Sequence, residues 1–300
     1  SDGLNRRSSI MAHETVTIAN EQYKAVIALV GAELKSVTDS KGTEFMWQAD
    51  SDVWPRTAPV LFPIVGKVKQ DSFRVNGVSF PLSQHGFARD HRFTVLAQTE
   101  TKVIFQLNYS IHTLKHYPFD FKLILSYEWM NHELVCGYEV INTGVVHLPF
   151  SIGAHPGFNL PSGHLSDYYL EFNQVENLNR HLLEEGLFNH QTETVMQNTN
   201  VLALSEELFE KDAIVFKHMQ SNEVTLKDKN SNYAVKMNYE GFPFFGIWTK
   251  KGCQRFICLE PWFGHADDVN GHLDALTKPG MQVLAPKENF KTHYTLRFFS

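Results

Sequence analysis

The feature that most constrains this chain is the period of its apolar residues, which is two and not 3.6. Ten segments carry it: Thr15–Asn20, Ala25–Val30, Val103–Tyr109, Phe121–Trp129, Leu134–Ile141, Glu223–Lys227, Tyr233–Tyr239, Phe244–Thr249, Arg255–Leu259 and Tyr294–Phe299. They are rich in Val, Ile, Phe, Tyr and Thr, and many alternate apolar with polar, which places one face of each on a core. Turn chemistry separates them: Asp39 to Gly42, Asn76-Gly77, Asn142-Thr143-Gly144 and Asn230-Ser231-Asn232. Helical signal is confined to a short turn at Ser205–Lys211, with Ser205 as its cap, and another at His112–His116 ahead of Pro118. With no βαβ rhythm, a doubly wound parallel sheet is excluded. The expectation is an all-β fold, a large antiparallel β-sandwich.

Length agrees with one such unit. The chain has 300 residues, and β-sandwiches of up to roughly 250 residues commonly form a single domain. No Pro/Gly/Ser linker and no internal repeat divides it, so residues 14–300 are read as one domain. The residues ahead of Met11 lack the apolar stretch of a secretory signal, and residues 1–13 are read as a disordered leader or cloning remnant. Lys and Arg number 27 against 33 Asp and Glu, a formal net charge of -6. That argues against a nucleic-acid partner, which needs a basic face to displace counterions, and against an electrostatic membrane anchor. No apolar run approaches the ~20 residues of a spanning helix. The 3 cysteines, Cys136, Cys253 and Cys258, are too few for a disulfide framework, and read as reduced core residues of a cytoplasmic protein. Monomer and homodimer fit the composition alike.

Polar chemistry interrupts the strands at three places. The first is Ser83-Gln84-His85-Gly86-Phe87-Ala88-Arg89-Asp90. The second is Gly153-Ala154-His155-Pro156-Gly157-Phe158-Asn159. The third is Cys258-Leu259-Glu260-Pro261-Trp262-Phe263-Gly264. His85 and His155 adjoin Gly or Pro-Gly, where the backbone leaves a ladder and a side chain can face a cleft. Glu260 closes an apolar run, and a buried carboxylate there is unfavourable unless paired or used. Phe158 and Trp262 offer flat apolar faces suited to the C–H faces of a sugar ring. One imidazole with one carboxylate is the minimum set for concerted acid–base catalysis. Against this, a histidine in a β protein is commonly a hydrogen-bonded structural residue, and a glutamate at a strand end commonly a surface one. A metal reading competes, since there are 15 histidines and His112 with His116, or His85 with His91, could chelate, but His112 and His116 have no Cys or carboxylate at zinc-site spacing. No cofactor is expected, and there is no G-x-S-x-G, P-loop or G-x-G-x-x-G.

In their order and spacing these segments resemble the aldose 1-epimerase (galactose mutarotase) family, and within it the LacX-like subgroup. The resemblance runs from about Val26. It takes in Gly31-Ala32-Glu33-Leu34, Ala58-Pro59-Val60-Leu61-Phe62-Pro63, Gly66-Lys67, His85-Gly86-Phe87-Ala88-Arg89, Tyr117-Pro118-Phe119, Asn142, Pro149 to Phe158, and Leu259-Glu260-Pro261-Trp262. It implies a twisted antiparallel supersandwich with a sugar cleft on one face. His155 would be the general acid, Glu260 the general base, His85 a sugar-binding histidine and Asp212 a sugar-binding aspartate. The implied reaction exchanges the α and β anomers of an aldohexose. Mutual attraction would keep the His155–Glu260 pair charged near neutral pH, from ordinary values of about 6.5 and about 4.3.

The chain departs from the galactose mutarotases where Pro63 and Lys67 stand in place of two arginines, and Arg56 resembles an arginine of the hexose-6-phosphate mutarotases. A phosphorylated sugar held by Arg56, Lys67 and Arg89 is therefore a second expectation, since guanidinium forks match phosphate oxygens. A non-catalytic carbohydrate-binding protein on the same fold is a third; it has no need of His155 and Glu260 together. A glycoside hydrolase would require a second carboxylate beside the bond, for which Asp212 is the candidate.

Overall fold

The computed structural model describes residues 14–271 and 273–300. The segment read as a leader lies outside the described residues. Antiparallel pairing joins every strand of the larger sheets. One sheet has nine strands. At its centre, Phe121–Met130, Glu133–Asn142 and Asn289–Phe299 pair in continuous register. Their burial alternates residue by residue, as the period of two requires. Leu123, Leu125, Leu134, Val140, Leu296 and Phe298 all point inward and are fully buried.

The facing layer has two parts. Thr15–Ala19, Tyr23–Ala28 and Glu33–Asp39 form a three-stranded sheet. The other is a five-stranded sheet around the strand Phe256–Phe263. Inward side chains of all three sheets meet in one apolar cluster that includes Ile18, Leu34, Phe105, Leu125, Ile257 and Phe298. Burial of this kind contributes roughly 25 cal/mol per Å² of apolar surface. The two helical expectations become single 3₁₀ turns, Thr113–Lys115 and Glu206–Phe209, and Ser205 makes no side-chain cap. No helix among the described residues is long and apolar enough to cross a membrane.

The strand containing Phe256 to Phe263 positions the site. It is apolar on both faces because both are covered. Ile257 and Leu259 enter the main core, whereas Phe256, Cys258 and Trp262 join two smaller clusters on the opposite face. Glu260 shares that opposite face by alternation. The strand was expected to end at Leu259; it continues through Pro261 to Phe263. Pro261 removes only its own ladder donor, so the pairing continues past it in unbroken register. Ile152–Gly153 and Gly157–Asn159 both pair with this strand in one register, and Ala154-His155-Pro156 between them face Pro261-Glu260-Leu259. Ala154 donates to the Pro261 carbonyl and Leu259 to the Pro156 carbonyl; the return bonds are missing because Pro261 and Pro156 have no N–H to give.

A second long element was not legible in the sequence. Tyr168–Glu184 and Leu187–Ala203 form a hairpin of 17 residues a side. Its register shifts repeatedly, and much of its outer half is exposed, so alternation fades there. Its tip is tied to the loop after the site strand. Phe188 donates to the Asp267 carbonyl, and Val269 donates to the Phe188 carbonyl.

Candidate active site

The unbroken register across Ala154-His155-Pro156 sets His155 directly opposite Glu260, so the two side chains share one face. Their side chains meet at 3.2 Å, Nε2 to Oε1, with side-chain exposures of 9% and 2%. The pair forms the floor of a cleft of about 420 Å³, a size suited to a small ligand. Trp54, Trp248 and Trp262 contribute walls, and Leu183, Gly186 and Phe188 from the hairpin tip contribute the roof. The imidazole of His155 lies 5.1 Å from the Trp54 ring, 5.6 Å from Trp248 and 5.5 Å from His85, between centroids.

Glycine makes room for the largest wall. A Cβ at Gly246 would fall 2.5 Å from Trp262 Cζ2, and one at Gly153 would fall 2.6 Å from Trp262 Cδ1. Both glycines belong to strands that flank Trp262, so the indole lies down between two bare backbones.

His85 is held in left-handed backbone with φ of 67°. Its Nδ1 accepts a hydrogen bond from the Gly66 amide at 2.9 Å. An acceptor Nδ1 fixes the neutral tautomer, so Nε2 carries the proton and is a donor. Burial pushes the His85 pKa well below its ordinary value, with His155, Arg89 and Arg56 adding to the effect. Arg89 lines the cleft; its Nη2 donates to the Gln84 carbonyl at 3.0 Å, and its buried Nε has no partner. Asp212 stands at the rim with φ of 73°. Arg180 holds that turn by donating to the carbonyls of Leu208, Asp212 and Ala213.

Burial governs the charges of the central pair. It pushes Glu260 well above the usual carboxylate range; the Asp212 charge adds to this and the nearby Trp262 indole opposes it. Burial also pushes His155 down to about 3, with Arg89 and Arg56 contributing. Both shifts favour the neutral forms, so the expectation of a pair kept charged by mutual attraction is corrected. Desolvating two ions outweighs their attraction here. Glu260 Oε2 and His155 Nδ1 are buried without a partner, as is Trp262 Nε1.

Of the residues singled out in the sequence, the cleft brings together His85, Arg89, His155, Asp212, Glu260 and Trp262. Three are not in its lining. Phe158 is wholly buried in the main core, because the residue after Gly157 alternates to the other face. It cannot stack on a sugar. Arg56 is paired with Asp90 at 3.0 Å, and its charge reaches His155 only at a distance. The Lys67 stem packs beside Gly186 at the hairpin turn. Conversely, Trp54, Trp248, Leu183 and Phe188 were not singled out; the indoles offered a signal of the same kind as Trp262, whereas the hairpin residues offered none.

His116 Nδ1 contacts the Pro81 carbonyl at 2.5 Å, and His91 packs against Phe87. The one group among the described residues with ligand atoms close enough to hold a metal is His155, Cys258 and Glu260.

The His155–Glu260 pair thus lies at the floor of an aromatic cleft on a large antiparallel β-sandwich. The chain belongs to the aldose 1-epimerase family, whose model matches residues 14–297. It is 30% identical to the chromosomal LacX protein of Lactococcus lactis subsp. lactis over 294 residues, 94% of this chain and 98% of that one. Its fold superposes on a galactose mutarotase related enzyme from Lactobacillus acidophilus with a TM-score of 0.92, at 34% identity and covering 96% and 98% of the two chains. A galactose mutarotase-like protein from Lactobacillus casei gives 0.90 at 30% identity, covering 95% and 100%.

Proposed function

We propose that this protein interconverts the α and β anomers of an aldohexose by acid–base ring opening. The observation that carries the reading is the 3.2 Å contact between His155 Nε2 and Glu260 Oε1 beneath a sugar-sized aromatic cleft.

In the forward step the Glu260 carboxylate takes the proton of the C1 hydroxyl. His155, as imidazolium, gives a proton to the ring oxygen. The C1–O5 bond breaks, leaving a neutral acid, a neutral imidazole and the open aldehyde. Rotation about C1–C2 presents the other carbonyl face, and the transfers run in reverse. The site's electrostatics suit this sequence. A raised carboxyl is a stronger base and a lowered imidazolium a stronger acid. The neutral pair that burial favours is the pair that accompanies the open chain. Direct contact lets a proton pass from Glu260 to His155 to form the ion pair ahead of ring opening. The His85 Nε2–H and the Arg89 guanidinium supply donors for sugar hydroxyls, and Trp262 supplies a face for ring C–H groups.

A sugar 6-phosphate remains the second reading. It is favoured by the unpartnered Arg89 Nε and weakened by the Arg56–Asp90 pairing.

Polarimetry or saturation-transfer NMR on α-glucose, α-galactose and their 6-phosphates tests both. At least one should equilibrate faster with the protein, by a factor that drops about 10²–10⁴-fold in Glu260→Gln and His155→Asn. Wild-type rates in those variants would refute the mechanism. Selective loss with the phosphorylated sugars in Arg89→Met would assign the phosphate. Sugar binding without acceleration would leave a carbohydrate-binding protein.

A further inference from the structure

We propose that His155, Cys258 and Glu260 form an inhibitory site for a thiophilic divalent cation, Zn²⁺ or Cd²⁺, just beneath the floor of the cleft. One ligand atom from each residue lies within 4.8 Å of the others, and all three residues are buried. The convergence follows from the fold. Cys258 and Glu260 are alternate residues on one strand and share its outer face. His155, directly across from Glu260 in the paired segment, reaches the same point.

The donor set is one imidazole nitrogen, one thiolate and one carboxylate oxygen. This mixture selects zinc-like cations over magnesium, which demands an octahedral oxygen shell. Charge points the same way. A dication with a thiolate, a carboxylate and a neutral imidazole sums to zero, which a water-poor site tolerates. Glu260 Oε2 and His155 Nδ1 have no partners to surrender. Three protein ligands leave a fourth coordination position for water. Binding releases the protons of the thiol and carboxyl, so affinity rises with pH. It also occupies both groups that move protons. The inhibition rests on the acid–base reading above; the metal binding does not.

The test titrates the reduced, metal-free full chain with Cd²⁺. It follows the ultraviolet cadmium–thiolate charge-transfer band together with anomer exchange. One equivalent should produce the band and abolish exchange in parallel, chelation should reverse both, and Mg²⁺ should do neither. Cys253→Ser, which removes the more accessible thiol, should keep both effects. Cys258→Ser should lose both, the inhibition being read as the ratio of rates with and without Cd²⁺. Should Cys258→Ser fail to fold, His155→Gln carries the test by needing about 10-fold more Cd²⁺ for the band, or more. Absence of the band, its survival in Cys258→Ser, or wild-type Cd²⁺ affinity in His155→Gln overturns the site. A band that behaves as described, with no sugar accelerated by the metal-free protein, keeps the site and refutes anomerisation.

Discussion

Gly246→Ala is the most discriminating single change, because it adds one methyl where the structure leaves room for none. Gly246 sits in the strand Phe244–Trp248, in extended backbone that alanine adopts freely, so conformational strain is not the issue. The added Cβ would lie 2.5 Å from Trp262 Cζ2, 2.8 Å from Cη2 and 3.2 Å from Cε2. Carbon atoms are at ease at about 3.5–4.0 Å, so the indole must withdraw by about 1 Å. It cannot slide sideways, since the Gly153 backbone closes the other flank. The remaining direction is up, into the cleft. Overpacking of this kind destabilises by about 1–3 kcal/mol, and a 1 Å displacement of a binding wall lowers kcat/KM by about 10²-fold. Urea unfolding and saturation-transfer NMR measure the two effects. Trp262→Ala is the control: in that background Gly246→Ala has nothing to strike, and its effects should largely vanish. Wild-type stability and wild-type kcat/KM in Gly246→Ala, or an equal penalty with and without Trp262, would refute the account of the cleft wall.

Three further outcomes follow from the buried charges. His155 has its pKa pushed down from 6.5 to about 3, so the unfolded chain takes up this proton first as pH falls. Stability present above about 6.5 is lost toward 3 at roughly 1.4 kcal/mol per pH unit, and His155→Gln should flatten that slope in unfolding curves measured across pH. Glu260 has the opposite sign, because its raised pKa contributes stability at low pH that is lost as pH rises. Glu260→Gln should therefore unfold at higher urea than wild type in mildly alkaline buffer, an advantage that disappears in acid. The buried Glu33 carboxylate accepts from the amides of Thr57 at 2.7 Å and Ala58 at 2.9 Å, anchoring the loop that carries Trp54. Glu33→Ala leaves two buried donors unpaired, and urea unfolding should register a loss of roughly 2–4 kcal/mol.

Much of this architecture was legible in the residues. The period of two from Phe121 to Ile141 reappears as uninterrupted alternation of burial. The three polar interruptions supply His85, Arg89, His155, Glu260 and Trp262 to the cleft. The reading failed where the physics is not local. The hairpin from Tyr168 to Ala203 was missed because its outer half rises away from the core and no longer alternates. Phe158 was misplaced because aromatic character says nothing about which side of a strand a residue takes. The charge state of His155 and Glu260 was misjudged because reference pKa values describe groups in water, and neither is in water.

The sequence by itself therefore determined the class of fold, through alternation that only paired strands can bury, and the chemical types gathered at the site. Tertiary structure decided what those residues do to one another. It chose the register that sets His155 across from Glu260, and it lowered the hairpin tip over them. The physical reason is one of range. Periodicity is a property of neighbours along the chain, whereas a 3.2 Å contact and the loss of water around it exist only once distant strands have closed on each other.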